Sequence, residues 1–291
     1  MPGDIPRNGS SPPARPRSSR LLIWILLAAL IGPCAYLDAP VEVSRWYLAA
    51  AIEDQDAGHP ELADQHFEQA FAWNPNDPEL LVRRAFRQMQ AGNYAVALAD
   101  CNRANELVPE SATVLTARSQ VYQHMGEHAA AIADLKVIDR LSLSSGRPQR
   151  TQALNGLAYA RTVANVELDE GLQEINEALA MAPANHAMLD TRGFLLYRLE
   201  KYDAAFADID LALRGMERTY RELQKPIAPL ERRLEYPEGW QNEIELAKQG
   251  VAVVRYHRAL VLDKLGRNAE AKLDRARVKL LLGREADESL F

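Results

Sequence analysis

Cysteine is nearly absent: Cys34 and Cys101 are the only two in 291 residues and stand 67 positions apart, so no framework of disulfides is available. That scarcity suits a reducing compartment, and equally an oxidising one in which the fold needs no staples. Beyond residue 20 there is no block of Lys or Arg. The formal charge is −6, and because residues 1–20 carry four Arg against one Asp, the remainder sits at −9. A mildly acidic body without a basic stripe has no surface to track phosphates, which argues against a nucleic-acid partner. Also missing are a Gly-rich phosphate loop, a G-x-S-x-G elbow and an H-E-x-x-H pair. His59 and His66 flank one turn, and His124 and His128 straddle Gly126, a glycine turn that spoils the one-face geometry of a helical metal pair. The expectation is a protein that is not an enzyme and takes no cofactor and no metal.

Long apolar runs are also scarce, with one exception. LLIWILLAALIGPCAYL, Leu21 to Leu37, holds no charge, follows Arg15, Arg17 and Arg20, and precedes Asp38. As a helix it spans about 26 Å against a bilayer core of about 30 Å. The basic flank keeps the N-terminus in the cytoplasm, so the reading is a single-pass signal anchor with the rest of the chain on the far side. A cleaved signal, leaving a secreted or periplasmic protein, is the alternative, although PCAYLDAP lacks a small-x-small cleavage pattern. A lipid-modified Cys34 fits less well, because Pro33 stands where a small residue belongs. Residues 1–20, with five Pro, two Gly and four Arg, have too little apolar surface to fold and are expected to be disordered.

What is abundant is helical periodicity with a period of 34. Between His186 and Glu217, small residues fall at Gly193, Ala205 and Ala212, and larger apolar ones at Leu189, Leu196, Tyr202 and Ile209, in two runs broken at Glu200-Lys201. This is a helix hairpin, and its pattern recurs along the chain. In-phase units run from Ser44 to Asp77, Pro78 to Ser111 and Ala112 to Ser145, then from Gln152 to Asn185 and His186 to Thr219, with a sixth over 252–285. Residues 44–145 and 152–219 therefore form two blocks. Between them Gly146 to Thr151 breaks the phase, and its Gly-Arg-Pro reads as a loop. Residues 220–251 are an insertion. Two elongated helices are expected there, the second over Asn242 to Leu265, bridged by a proline-rich elbow that includes Pro226, Pro229, Leu230 to Leu234 and Trp240. Residues 286–291 form a short tail.

The in-phase small residues, the aromatic or aliphatic residue beside them and the closing prolines Pro75, Pro109 and Pro183 resemble the tetratricopeptide repeat (TPR) family. The resemblance implies an all-α solenoid of about six stacked antiparallel hairpins after the membrane helix. It also implies that the first helix of each hairpin lines a groove for protein or peptide partners. Carried over residue by residue, the candidate groove set is Arg83, Phe86 and Met89, Gln120 and Gln123, Phe194 and Tyr197, and Tyr256. Helical aromatics also serve as core, so packing against a neighbouring hairpin is the rival role for Phe86, Met89, Phe194 and Tyr197. Leu48, Ile52 and Arg83 depart from the Lys and Asn set with which chaperone-binding members hold a terminal carboxylate. Acidic pairs such as Asp208 with Asp210, and Glu167 with Asp169 and Glu170, read as solvated helix faces. Cys101 reads as a buried filler. The function expected is a membrane-anchored scaffold for protein–protein interaction; the alternative is an assembly or regulatory subunit of a cell-envelope enzyme complex.

Overall fold

The computed structural model describes residues 39–55, 57–144, 146–225 and 240–285. The expectations for 1–20, for the membrane helix at 21–37, for the elbow at 226–239 and for the tail at 286–291 lie outside the described residues. Among the described residues the regular structure is twelve helices, and none is long and apolar enough to cross a membrane.

Two compact units result. The first is one hairpin: residues 39–55 (α1) and Pro60–Trp73 (α2). Gly58, at φ +76°, supplies the left-handed turn between them, and Pro60 opens α2 where a missing N–H costs nothing. The Ser44 hydroxyl donates to the Ala70 carbonyl at 2.8 Å, and His66 Nδ1 meets Asp54 Oδ2 at 2.7 Å.

The second unit stacks five hairpins in sequence order. They are α3 (Pro78–Gln90) with α4 (Tyr94–Leu107), α5 (Ala112–His124) with α6 (His128–Ser142) and α7 (Arg147–Ala164) with α8 (Leu168–Met181). Then come α9 (His186–Arg198) with α10 (Tyr202–Leu223) and α11 (Trp240–Lys264) with α12 (Asn268–Leu282). Local chemistry sets the starts. Asp77 Oδ1 accepts from the N–H of Glu79 at 2.9 Å ahead of Pro78, and Asn185 Oδ1 accepts from the N–H of Met188 at 3.1 Å. The in-phase alanines Ala97, Ala104, Ala131, Ala178, Ala205, Ala212, Ala259 and Ala271 are fully buried, which lets crossing helices approach closely.

The turn inside each hairpin needs one left-handed residue. Gly92, Gly126 and Gly266 provide it without strain, whereas α9 and α10 are joined through Glu200 at φ +59°. Glu200→Gly relieves a Cβ clash while loosening the unfolded chain, for an expected net gain of about 0.5 kcal/mol in unfolding free energy. A raised urea midpoint would show it; an unchanged or lowered one would mean that Glu200 carries other contacts.

One expectation fails here. Gly146 to Thr151 is not a loop: Gly146 is the N-cap, Pro148 sits in the first turn of an 18-residue α7, and the Thr151 hydroxyl donates to the Pro148 carbonyl at 2.8 Å. Proline is tolerated there because the first-turn N–H groups have no intrahelical acceptor. The extra turn displaces α7 relative to the repeat. First helices elsewhere touch (α3 on α5, α7 on α9, α9 on α11), but α5 and α7 barely meet. Trp240 likewise belongs to the start of α11 and not to an elbow.

A clasp of charges recurs across the hairpins. Arg84 with Asp100, Arg118 with Asp134, Arg192 with Asp208 and Arg258 with Asp274 each form a two-pronged ion pair, 16 residues apart, joining the two helices of one hairpin. The third guanidinium arm reaches the preceding hairpin, from Arg118 to Asn102 and Arg192 to Asn176 at 3.1 Å and from Arg258 to Asp210 at 2.7 Å. Asp208 and Asp210 are therefore clasp members, not solvated faces, because their partners approach from another helix. Glu167 also pairs, with Arg161 and Lys136. Asp169 and Glu170 are exposed in the first turn of α8, where the helix dipole favours them.

Candidate functional site

The gap between α5 and α7 is a cavity of about 650 Å³. Its back wall is apolar, from Leu135, Ile138 and Leu141 of α6. One side is Thr113, Thr116, Gln120 and Gln123 of α5; the other is Gln149, Gln152, Asn155 and Tyr159 of α7. Gly156 of α7 faces the wall beside Leu135, where even a Cβ would make only an ordinary contact, 3.6 Å from Leu135 Cδ2. Among the described residues no charged side chain lines the cavity. Amides and hydroxyls donate and accept, which is what an extended main chain requires of a binding wall.

One polar atom is left over. Asn155 Oδ1 is buried and accepts no hydrogen bond among the described residues. An orphaned buried acceptor costs about 1–3 kcal/mol. Tyr159 stands one turn further along α7. Burial first, and then the Asp190 carboxylate, push its phenol up to about 12, so it stays a donor throughout the physiological range.

Phe86 of α3 closes the cavity at one end and is shared with a second concavity of about 500 Å³ between α3 and α5. Val82, Phe86 and Val114 make that one apolar, and Arg83 sits on its rim, held by Glu79 at 2.9 Å. Of the residues expected from the sequence, Arg83, Phe86, Gln120 and Gln123 are thus brought together on neighbouring helices. Met89 is half-buried on α3 and lines neither concavity.

The remaining three lie away from these concavities. Phe194 is 1% exposed and stacks face to face on His257 at 4.2 Å. Tyr256 is 7% exposed and packs with Ala252 and Val278 between α11 and α12. Tyr197 is half-buried, 6.0 Å from both Phe194 and Tyr202, and packs against the core of the α9–α10 hairpin. Packing within and between these hairpins claims the three rings, and the concavity that opens between the start of α9, α10 and α11 is lined by other residues, His186, Met216 and Leu246 among them. Asn155 and Tyr159 were absent from the sequence-derived set. Their signal was Asn155 itself, a polar residue at the place where three other units put Leu81, Leu115 and Leu189, although the first has Tyr47 and the sixth Arg255.

The site contains nothing poised for catalysis. His257 is fully buried with Nδ1 2.9 Å from both Asp190 oxygens, out of reach of a substrate. Cys101 is buried, and burial, reinforced by Asp100, pushes its thiol up to about 12, which makes it an inert filler. Among the described residues no group of three or more His, Cys, Asp or Glu could hold a metal ion.

No family model matches the chain. Among curated proteins it is similar to the human Protein SGT1 homolog, 28% identical over 96 residues, and to the bovine one, 33% identical over 107 residues. These stretches cover 33% and 37% of this chain but span only 26% and 30% of the relatives' own lengths. Among solved structures, Pseudomonas aeruginosa PilF superposes with a TM-score of 0.54 at 13% identity, covering 84% of this chain and 94% of that one. A tetratricopeptide repeat protein from Parabacteroides merdae gives 0.52 at 15% identity, covering 86% and 96%. At such identities the likeness speaks for the fold, which is that of a tetratricopeptide repeat array.

Proposed function

We propose that this chain is a non-catalytic scaffold that holds an extended, uncharged segment of a partner protein in the cavity between α5, α6 and α7. The observation that carries this reading is a cavity lined by amides, hydroxyls and aliphatic carbon, with no charged side chain among the described residues. The Thr, Gln and Asn side chains of the two walls serve a partner's peptide groups, and the α6 wall takes an apolar side chain. We further propose that Leu21 to Leu37 tether this scaffold to a membrane with residues 39–285 on the non-cytoplasmic side. The uncharged run and its arginine flank support that placement.

The test is selection of peptides from a random display library on the full-length chain, followed by titration against Asn155→Leu. The expected peptides are uncharged across their centre. Asn155→Leu should weaken them at least tenfold, yet raise the unfolding free energy by about 1 kcal/mol, because it removes an unsatisfied acceptor. Peptides that bind the variant as well as the parent would dispose of the cavity as the binding site.

A further inference from the structure

The lengthened α10 and α11, with the end of α12, enclose a second pocket of opposite chemistry, about 340 Å³ in volume. Tyr220, Val251 and Leu281 give it an apolar floor, and Leu280 stands at the rim 84% exposed. Three guanidinium groups line it: Arg221 from α10, Arg255 from α11 and Arg277 from α12. Arg255 is already engaged, by Asp274 at 2.7 Å and by Glu217. Burial holds its pKa below the usual arginine value; the attraction of Asp274 works against that, and the repulsion of nearby Arg277 adds to it.

The other two have no carboxylate partner among the described residues. Arg277 makes no hydrogen bond or ion pair with any described residue, and Arg221 donates only to a main-chain oxygen, that of Glu217, at 3.2 Å. The pocket's own carboxylate, Glu217, serves Arg255, and Asp274 beneath it is shared with Arg258. Two guanidinium groups without a carboxylate partner among the described residues therefore flank an apolar floor, on a chain whose net charge is −6. Arginine forks fit carboxylates in two-pronged pairs, and the exposed leucine beside them offers nothing to a purely polar anion.

We propose that this pocket docks an acidic segment of a partner protein in which carboxylate side chains neighbour aliphatic ones, the carboxylates pairing with Arg221 and Arg277 and an aliphatic side chain covering Leu280 and Leu281. The site is separate from the neutral cavity and stands or falls independently of it.

The test is fluorescence polarisation of a labelled peptide of alternating glutamate and leucine on the full-length chain, beside the same peptide with glutamine for glutamate. The glutamate peptide should bind at least tenfold tighter than the glutamine one and weaken in 0.5 M salt. Arg277→Gln and Arg221→Gln should each cost about tenfold. Both residues are exposed, so their thermal unfolding should be unchanged. Asn155→Leu should bind the glutamate peptide normally, which separates this site from the cavity. Equal binding of the two peptides, or indifference to both arginine substitutions, would overturn the proposal. So would binding seen only after removal of residues 286–291, which would make the chain's own acidic tail the occupant.

Discussion

Asp274→Ala is expected to lower the unfolding free energy by about 3–5 kcal/mol, the cost typical of breaking a buried ion pair on one side only. The residue is 1% exposed and accepts from three guanidinium arms: one of Arg255, itself buried, and two of Arg258. Arg258 shows what is at stake. Burial works to lower its pKa, and the hydrogen bonds and charges of Asp274 and then of Asp210 together more than reverse that. Without Asp274, two cations remain in the α11–α12 core with only Glu217 and Asp210 to balance them. Asp208→Ala removes the equivalent clasp where Arg192 is partly open to solvent, so its cost should be about 1 kcal/mol. Urea unfolding of the two variants side by side measures the contrast. Equal losses would mean that burial does not govern the strength of the clasp.

The second large effect is steric. Gly193→Ala places a Cβ 2.4 Å from Ile209 Cγ1 and 3.2 Å from the Ala205 carbonyl, at the crossing of α9 and α10. Glycine to alanine inside an exposed helix stabilises by about 1 kcal/mol, so the expectation here runs against the intrinsic preference. A net loss of about 2–3 kcal/mol is expected, because Ile209 is fully buried and the carbonyl belongs to a rigid helix. Ile209→Ala in the same chain opens space, so the double variant should be more stable than the two single losses added together. Simple additivity would place the strain elsewhere.

The hairpins were legible because the packing rule repeats. Small residues must stand where helices cross, and a left-handed glycine such as Gly92, Gly126 or Gly266 must stand between them, so a 34-residue comb shows in the sequence. Gly146 to Thr151 was misread because Gly-Arg-Pro serves equally as a loop and as the first turn of a helix. What decides is whether the following residues continue the helical pattern, and at Gln152 they do. The clasps were hidden for another reason. Along one helix Asp208 or Asp134 looks solvated, and only the fold brings an arginine sixteen positions upstream against it. Phe194 and Tyr256 fell in groove positions of an idealised stack, yet here both rings are buried, Phe194 against His257 and Tyr256 between α11 and α12. The cavity sits instead where the period breaks, at a displacement that no single unit encodes.

The neutral cavity as a peptide site is tested most directly by hydrogen exchange on the full-length chain with a selected peptide at saturation. The account predicts slowed exchange concentrated in α5 and α7, across 113–123 and 149–159, and its loss in Asn155→Leu. Protection centred on α9 and α11, or unchanged in the variant, would contradict it.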